Sequence, residues 1–229
     1  MSAFLRTAEM TMRDLVGRRW ALLLLILVPL VFYGARRGDA SWQGIRFACM
    51  GLAWALSTVA LFSTISAKSL EPRLRLAGAR VSALLAGRVL ALVIVALVVG
   101  GVYAALIAAD QAPENPWSIT AALLLSAVIS VPLGMLIARL VPRDFEGMLV
   151  LITVVGLQTI VDPESAVAKL LPLWSIRELL THGVEGAGDL RSAAIHASVY
   201  GAALVLLSLM LAWRSLRARP HVVRHAAPA

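Results

Sequence analysis

The sequence predicts an all-α, polytopic membrane protein, and three observations carry that prediction. Apolar residues make up 60% of the 229-residue chain and charged residues only 15%, with a mean hydropathy of +0.84. Soluble domains sit near ~45 to 50% apolar and ~25% charged. The apolar residues fall into six runs that approach or reach the ~20 residues a bilayer core requires. Basic residues gather at alternate junctions between those runs, the pattern of loops that stay in the cytoplasm.

Residues 1–19 come before the first run. Phe4, Leu5, Ala8, Met12, Leu15 and Val16 recur at helical spacing, Arg6, Glu9, Arg13 and Arg18 take the other side, and Glu9 precedes Arg13 by four. An amphipathic helix along the inner membrane surface is expected, against the alternative of a solvated leader. No small-residue cleavage site follows the first run, which is therefore read as a retained span over 20–35, kinked at Pro29. The second span is 47–67, with Trp42 and Trp54 as interface or packing aromatics. The third is 84–109, where Gly100 and Gly101 mark close helix contact or a bend. A proline-rich turn over 110–116 leads to the fourth, 119–138, which Pro132 and Gly134 are expected to interrupt. The fifth covers 147–161 and the sixth 195–213.

Between the last two lies 162–191, too apolar for a free loop because Val167, Leu170, Leu171, Trp174, Leu179 and Leu180 would stand in water. Short helices dipping into the outer interface, a re-entrant segment, are expected there. Residues 220–229 read as a disordered cytoplasmic tail.

Spans two and three are joined by the most informative stretch, 68–88, which sets Lys68, Arg73, Arg75, Arg80 and Arg88 against one acid, Glu71. Pro72 stands where a helix-start proline does, Leu74, Leu76 and Val81 supply apolar positions, and Gly78 allows a turn. The segment is either a short helix held against the inner face, over 68–83, or a basic loop that only fixes topology. Placing both termini inside assigns fifteen of the 21 Lys and Arg residues to the cytoplasm. Arg36, Arg37 and Arg46 dissent.

The formal charge of +8 does not point to nucleic acid, because the cations sit at the ends of apolar runs and not in one aromatic-studded patch. Cys49 is the only cysteine, which excludes an intrachain disulfide, a cysteine zinc cluster and a redox pair. No Asp, Glu, Lys or Arg lies in the cores of spans two to six, so the chain lacks the usual means of using an ion gradient. His182, His196, His221 and His225 lie at edges or in the tail, and HExxH and GxSxG are absent, which argues against an enzyme or a metal site. There is no GxxxxGK[ST] phosphate loop either. Any uphill movement must draw its energy from a partner.

The order of these features resembles the membrane subunit of an ABC-2 type exporter, over nearly the whole chain from about Phe4 to Arg217, or residues 1–219 as a domain. The most local resemblance is 71–88: Glu71, then Leu74 and Leu76, Val81 and Ser82 at the turn, and Gly87 with Arg88 opening the third span. Ala79 and Arg80 replace the family's turn proline, and no Gly-Thr follows the glutamate. The EAA-type loop of ABC importers is not recognisable.

The resemblance implies a permease of the cell (inner or plasma) membrane, with no cofactor of its own, ATP being bound by a separate ABC ATPase subunit. A second permease copy or a related permease, in the lipid bilayer, completes the path. Glu71, Arg73, Leu74, Arg75, Leu76 and Arg80 are then the ATPase-coupling residues, with the N-terminal helix as a second contact. Ser57, Thr58, Ser63 and Thr64 on span two, with Thr153, Gln158 and Thr159 on span five, are candidates to line a pathway or else to bond neighbouring helices. Such a mild lining suits an amphipathic or lipid-like substrate. Two alternatives stay open: a permease like the haem-exporter B subunits, and a structural or regulatory membrane component that transports nothing.

Overall fold

Each apolar run forms one helix, and the helix outruns the apolar stretch at one end or both. A nucleated helix adds a hydrogen bond per residue and continues through polar residues until a turn signal stops it. The computed structural model describes residues 3–39, 41–111, 113–141, 143–162 and 164–215, without the side chains of Ser41, Trp42 and Thr159. The expected tail lies outside the described residues.

Among the described residues there are ten helices and no strand. They are α1 (Ala3–Gly17), α2 (Arg19–Arg36), α3 (Ser41–Ala67), α4 (Glu71–Leu76), α5 (Val81–Gln111), α6 (Pro116–Leu140), α7 (Asp144–Ile160), α8 (Ala166–Lys169), α9 (Trp174–Glu185) and α10 (Leu190–Ser215). Helices α2, α3, α5, α6 and α10 are long and apolar enough to cross a membrane. Helix α7, with 17 residues, spans roughly 26 Å at ~1.5 Å per residue, less than the ~30 Å of a hydrocarbon core.

Side-chain contacts fix the direction of each helix. Arg18, just before α2, donates to Ser66 at the end of α3, while Tyr33 near the end of α2 bonds Asp110 near the end of α5. Arg46, early in α3, donates to the carbonyl of Gln158 late in α7. Arg139 ends α6 beside Ser215, which ends α10. Helices α2, α5 and α7 therefore run one way and α3, α6 and α10 the other. One end of the bundle, here the basal end, carries α1 and α4. The distal end carries α8 and α9, where Ser118 donates to Leu179 O and the His196 ring bonds Lys169 O.

The centre belongs to α3 and α6, whose contact faces are built from small residues. Ala48, Ala53, Ala60, Ala122, Ala127 and Ala138 are buried, and a Cβ added to Gly134 would stand 2.0 Å from Ser57 O. Only glycine permits that approach, the small-residue packing by which apolar helices associate without help from water. Contrary to the sequence expectation, Pro132 and Gly134 do not interrupt α6, which is continuous from Pro116 to Leu140. The carbonyl of Pro132 accepts the Ser208 hydroxyl, and Gly134 serves the α3 contact, so both residues act between helices.

The outer helices bury only stripes. Leu25, Pro29 and Tyr33 of α2 face inward at a spacing of four, while Leu23, Leu24, Ile26, Leu27, Leu30 and Val31 are exposed. Helix α10 repeats the pattern, with Val199 and Leu206 outward. So continuous an apolar surface is what a bilayer solvates and water does not. Helix α1 lies across the base of α5, where a Cβ on Gly87 would come 2.5 Å from Phe4 O. The Glu9–Arg13 pair forms on its far side at 2.6 Å, as the spacing predicts.

Candidate functional site

At the basal end the chain turns from α3 into α4 and then α5. Pro72 fits the first turn of α4, where a missing N–H leaves no bond unmade. Gly78, at φ +88°, closes the helix: its N–H bonds Arg75 O, and Ala79 N–H bonds Leu74 O, both at 3.0 Å. That left-handed cap satisfies carbonyls the helix end would otherwise strand. The six residues of α4 are too few for a helix stable alone, so it depends on what holds it.

What holds it is Glu71. Its carboxylate is buried and accepts from Arg88 at 2.5 Å and from Arg139 at 3.0 and 3.3 Å. The three side chains are each 4–5% exposed. Arg88 ends the second turn of α5 and Arg139 lies in the last turn of α6, so one carboxylate joins three helices. Ions removed from water each carry a desolvation penalty of several kcal/mol, offset here only because both guanidiniums reach the same carboxylate. One acid between two bases leaves surplus positive charge, and the Arg139 Nε has no partner among the described residues.

The sequence-predicted coupling residues divide between two faces. Glu71 is turned inward, Arg73 and Arg80 are exposed, and Leu76 is 91% exposed. Leu74 is half-buried and lines a cavity of about 370 Å³ with Thr7, Asp14, Ser63 and Ser66. The Arg75 guanidinium donates to Ala79 O at 3.2 Å, bracing the turn.

The predicted lining residues do not form one path. Thr58 and Ser63 face a cavity of about 430 Å³ between α1, α2 and α3, where Leu25, Val28 and Phe62 also stand. The Thr58 hydroxyl and the Trp54 indole N–H there are buried without partners among the described residues. Ser57 is buried in the α3–α6 contact and donates to Trp54 O at 3.1 Å. Thr64 is buried too, its hydroxyl unpartnered among the described residues. Thr153 points outward and bonds its own helix at Leu149 O. Gln158 lies at the distal end and donates to Val154 O, while the side chain of Thr159 is outside the described residues.

The dissenting arginines near the distal end each have a local task. Arg36 pairs with Asp39 at 2.9 Å, and Arg37 binds the carboxylate of Asp110, at 2.7 Å from its Nε, tying the end of α2 to that of α5. Arg46 is half-buried. Sequence reasoning missed the grouping of Arg88 and Arg139 around Glu71. The available signal was a lone acid in a basic stretch, together with one arginine two turns into an apolar helix and another in the last turn of a second.

Neither family models nor curated proteins yield a match to this chain. What the geometry itself defines is a helical membrane bundle with a short basal helix anchored through a buried carboxylate to two of its long helices.

Proposed function

We propose that this chain is the membrane-spanning permease subunit of an ATP-driven exporter of the ABC-2 type. In this reading α2, α3, α5, α6, α7 and α10 are six spans, α7 crossing in company with its longer neighbours, and the basal end with both chain termini faces the cytoplasm. The fifteen-to-six distribution of basic residues supports that orientation. A separate ABC ATPase docks on α4, a second permease copy or a related one completes the path, and an amphipathic or lipid-like substrate leaves the cytoplasm.

One observation carries the proposal: α4 and the turn after it offer an exposed apolar and basic outer side, Arg73, Leu76 and Arg80, while the inner residue Glu71 is bonded to α5 and α6. A push on α4 by an ATPase closing on ATP then moves two spanning helices directly, because a buried ion cluster cannot stretch without exposing an unpaired charge. The sequence contains no phosphate loop, so the energy has to enter through such a contact.

Leu76→Asp is the cleanest test, since the side chain packs on nothing and the substitution should change stability by no more than ~0.5 kcal/mol. The tagged chain, isolated from its native membrane in mild detergent, is expected to bring down an ATP-hydrolysing subunit, and the variant to lose it. Recovery of the wild-type chain without any such subunit, or of the variant with it, overturns the reading.

A further inference from the structure

The distal end holds a second pair of arginines that the coupling mechanism does not use. A small pocket of about 40 Å³ lies between α3, α6, α7 and the α8–α9 segment, with Arg46 and Arg177 in its wall. At ~10–15 Å³ per water it has room for roughly three water-sized groups, the scale of the oxygens of one phosphate. Its other walls are largely apolar, including Met50, Leu171 and Leu180.

Neither arginine forms an ion pair among the described residues. Arg46 gives one N–H to Gln158 O at 3.3 Å. The carboxylates of Glu178, Glu164, Asp162 and Glu185 act on Arg177 only from beyond pairing distance, and burial holds its guanidinium below the ordinary arginine value, though it stays charged. Trp174, also in the wall, has a buried indole N–H with no acceptor among the described residues. Helix α9 begins at this wall with no side-chain cap, so its positive end adds to the field. Two half-buried cations and a buried, unused donor face one small space, and none of its described lining residues is an acid.

We infer that the Arg46–Arg177 pocket is a binding site for a phosphate-type oxyanion, the headgroup of an anionic lipid being the source that its apolar walls and its place at the end of a bilayer-embedded bundle favour. Two guanidiniums present paired N–H groups that match the oxygens of a phosphate. The inference rests on the bundle being embedded in a bilayer and not on an ATPase partner, so the Leu76→Asp experiment and the one below fail independently.

The test uses the full chain purified in uncharged detergent, titrated with dihexanoyl phosphatidylglycerol, dihexanoyl phosphatidylcholine and inorganic phosphate. Tryptophan fluorescence and the thermal unfolding midpoint report binding. Phosphatidylglycerol is expected to bind and raise the midpoint, Arg46→Gln and Arg177→Gln each to weaken it by about tenfold or more, and the double variant to abolish it. Arg191→Gln, outside the pocket, is expected to bind as wild type. The double variant loses two half-buried charges that pair with no described acid, so without ligand its midpoint is expected at or above that of wild type. Should it fail to fold, Arg46→Lys with Arg177→Lys keeps the charge and loses the paired N–H groups, and is expected to bind more weakly. Competition by inorganic phosphate at similar concentration identifies a free oxyanion as ligand, and its absence identifies the lipid; either supports the site. Equal binding of phosphatidylcholine, undiminished binding by the glutamine or lysine variants, or no binding of either anionic probe overturns it.

Discussion

The two ends of the bundle treat arginine in opposite ways. At the basal end Arg88 and Arg139 share the carboxylate of Glu71, and the three groups lie almost wholly out of solvent. At the distal end Arg46 and Arg177 line one pocket with no acid among its described lining residues. An arginine neutralised within the chain fixes one element to another. One left without an internal counter-ion keeps its attraction for something outside. Arg37 is a third case, paired with Asp110 but exposed, where water screens what the pair contributes.

The comparison is most easily broken at Glu71. Glu71→Gln leaves two guanidiniums buried with no counter-charge and is expected to destabilise the protein by about 3–5 kcal/mol, read as a lower unfolding midpoint in detergent. Replacing the whole cluster, Glu71→Leu with Arg88→Met and Arg139→Met, should return most of that stability, because no charge then remains to be desolvated. In the proposed function the triple variant still loses ATP-driven transport, since α4 is no longer bonded to α5 and α6. A change of less than ~1 kcal/mol in Glu71→Gln would mean that water reaches the cluster and that it anchors nothing.

The exposed pair sharpens the contrast. Arg37→Gln removes a cross-link of the same chemistry at the surface, and its effect on the midpoint should be well below that of Glu71→Gln. It should also shrink in about 1 M salt, where the screening length falls to ~3 Å, while the Glu71→Gln defect persists. Equal effects, or equal salt sensitivity, would erase the distinction between the two ends.

The smallest effect is expected at Asp189, also distal, which caps α10. Its carboxylate accepts from Ser192 Oγ and from the N–H groups of Ser192 and Arg191, at 3.1 and 3.0 Å, and those bonds hold its pKa below the ordinary carboxylate range. A lowered folded-state pKa means the stabilisation is complete above the ordinary value of ~3.9 and is lost as pH falls through the lowered one. Asp189→Ala should therefore speed amide exchange at Arg191, Ser192 and Ala193 near neutral pH, with wild type approaching the same rates only in strong acid. Unchanged exchange in the variant would show the cap to be idle.

Much of this arrangement is legible in the order of the amino acids. The Glu9–Arg13 spacing places the outward pair of α1, Pro72 and Gly78 bracket α4, and the apolar content of 162–191 calls for the short helices α8 and α9. Pro132 does not act as a break because packing overrules local propensity: a helix pressed against α3 at Gly134 and bonded by Ser208 tolerates the missing N–H. The polar residues of α3 look alike in sequence, yet Ser57 lies in a helix contact and Thr58 on a cavity, a difference of one residue and about 100° of helix rotation.

By itself, then, the sequence determined the helical class, the apolar segments and the alternation of charge at their ends, because hydropathy and turn chemistry act over a few residues and each segment obeys them alone. Which charges meet was decided only in three dimensions. Arg139 reaches Glu71 across 68 positions, and Arg46 and Arg177 come to one pocket from separate helices. Such meetings depend on how each helix is rotated and how closely it approaches its neighbours. That is set by small residues such as Gly87 and Gly134 against a particular partner backbone, and no local pattern in a single chain encodes the partner.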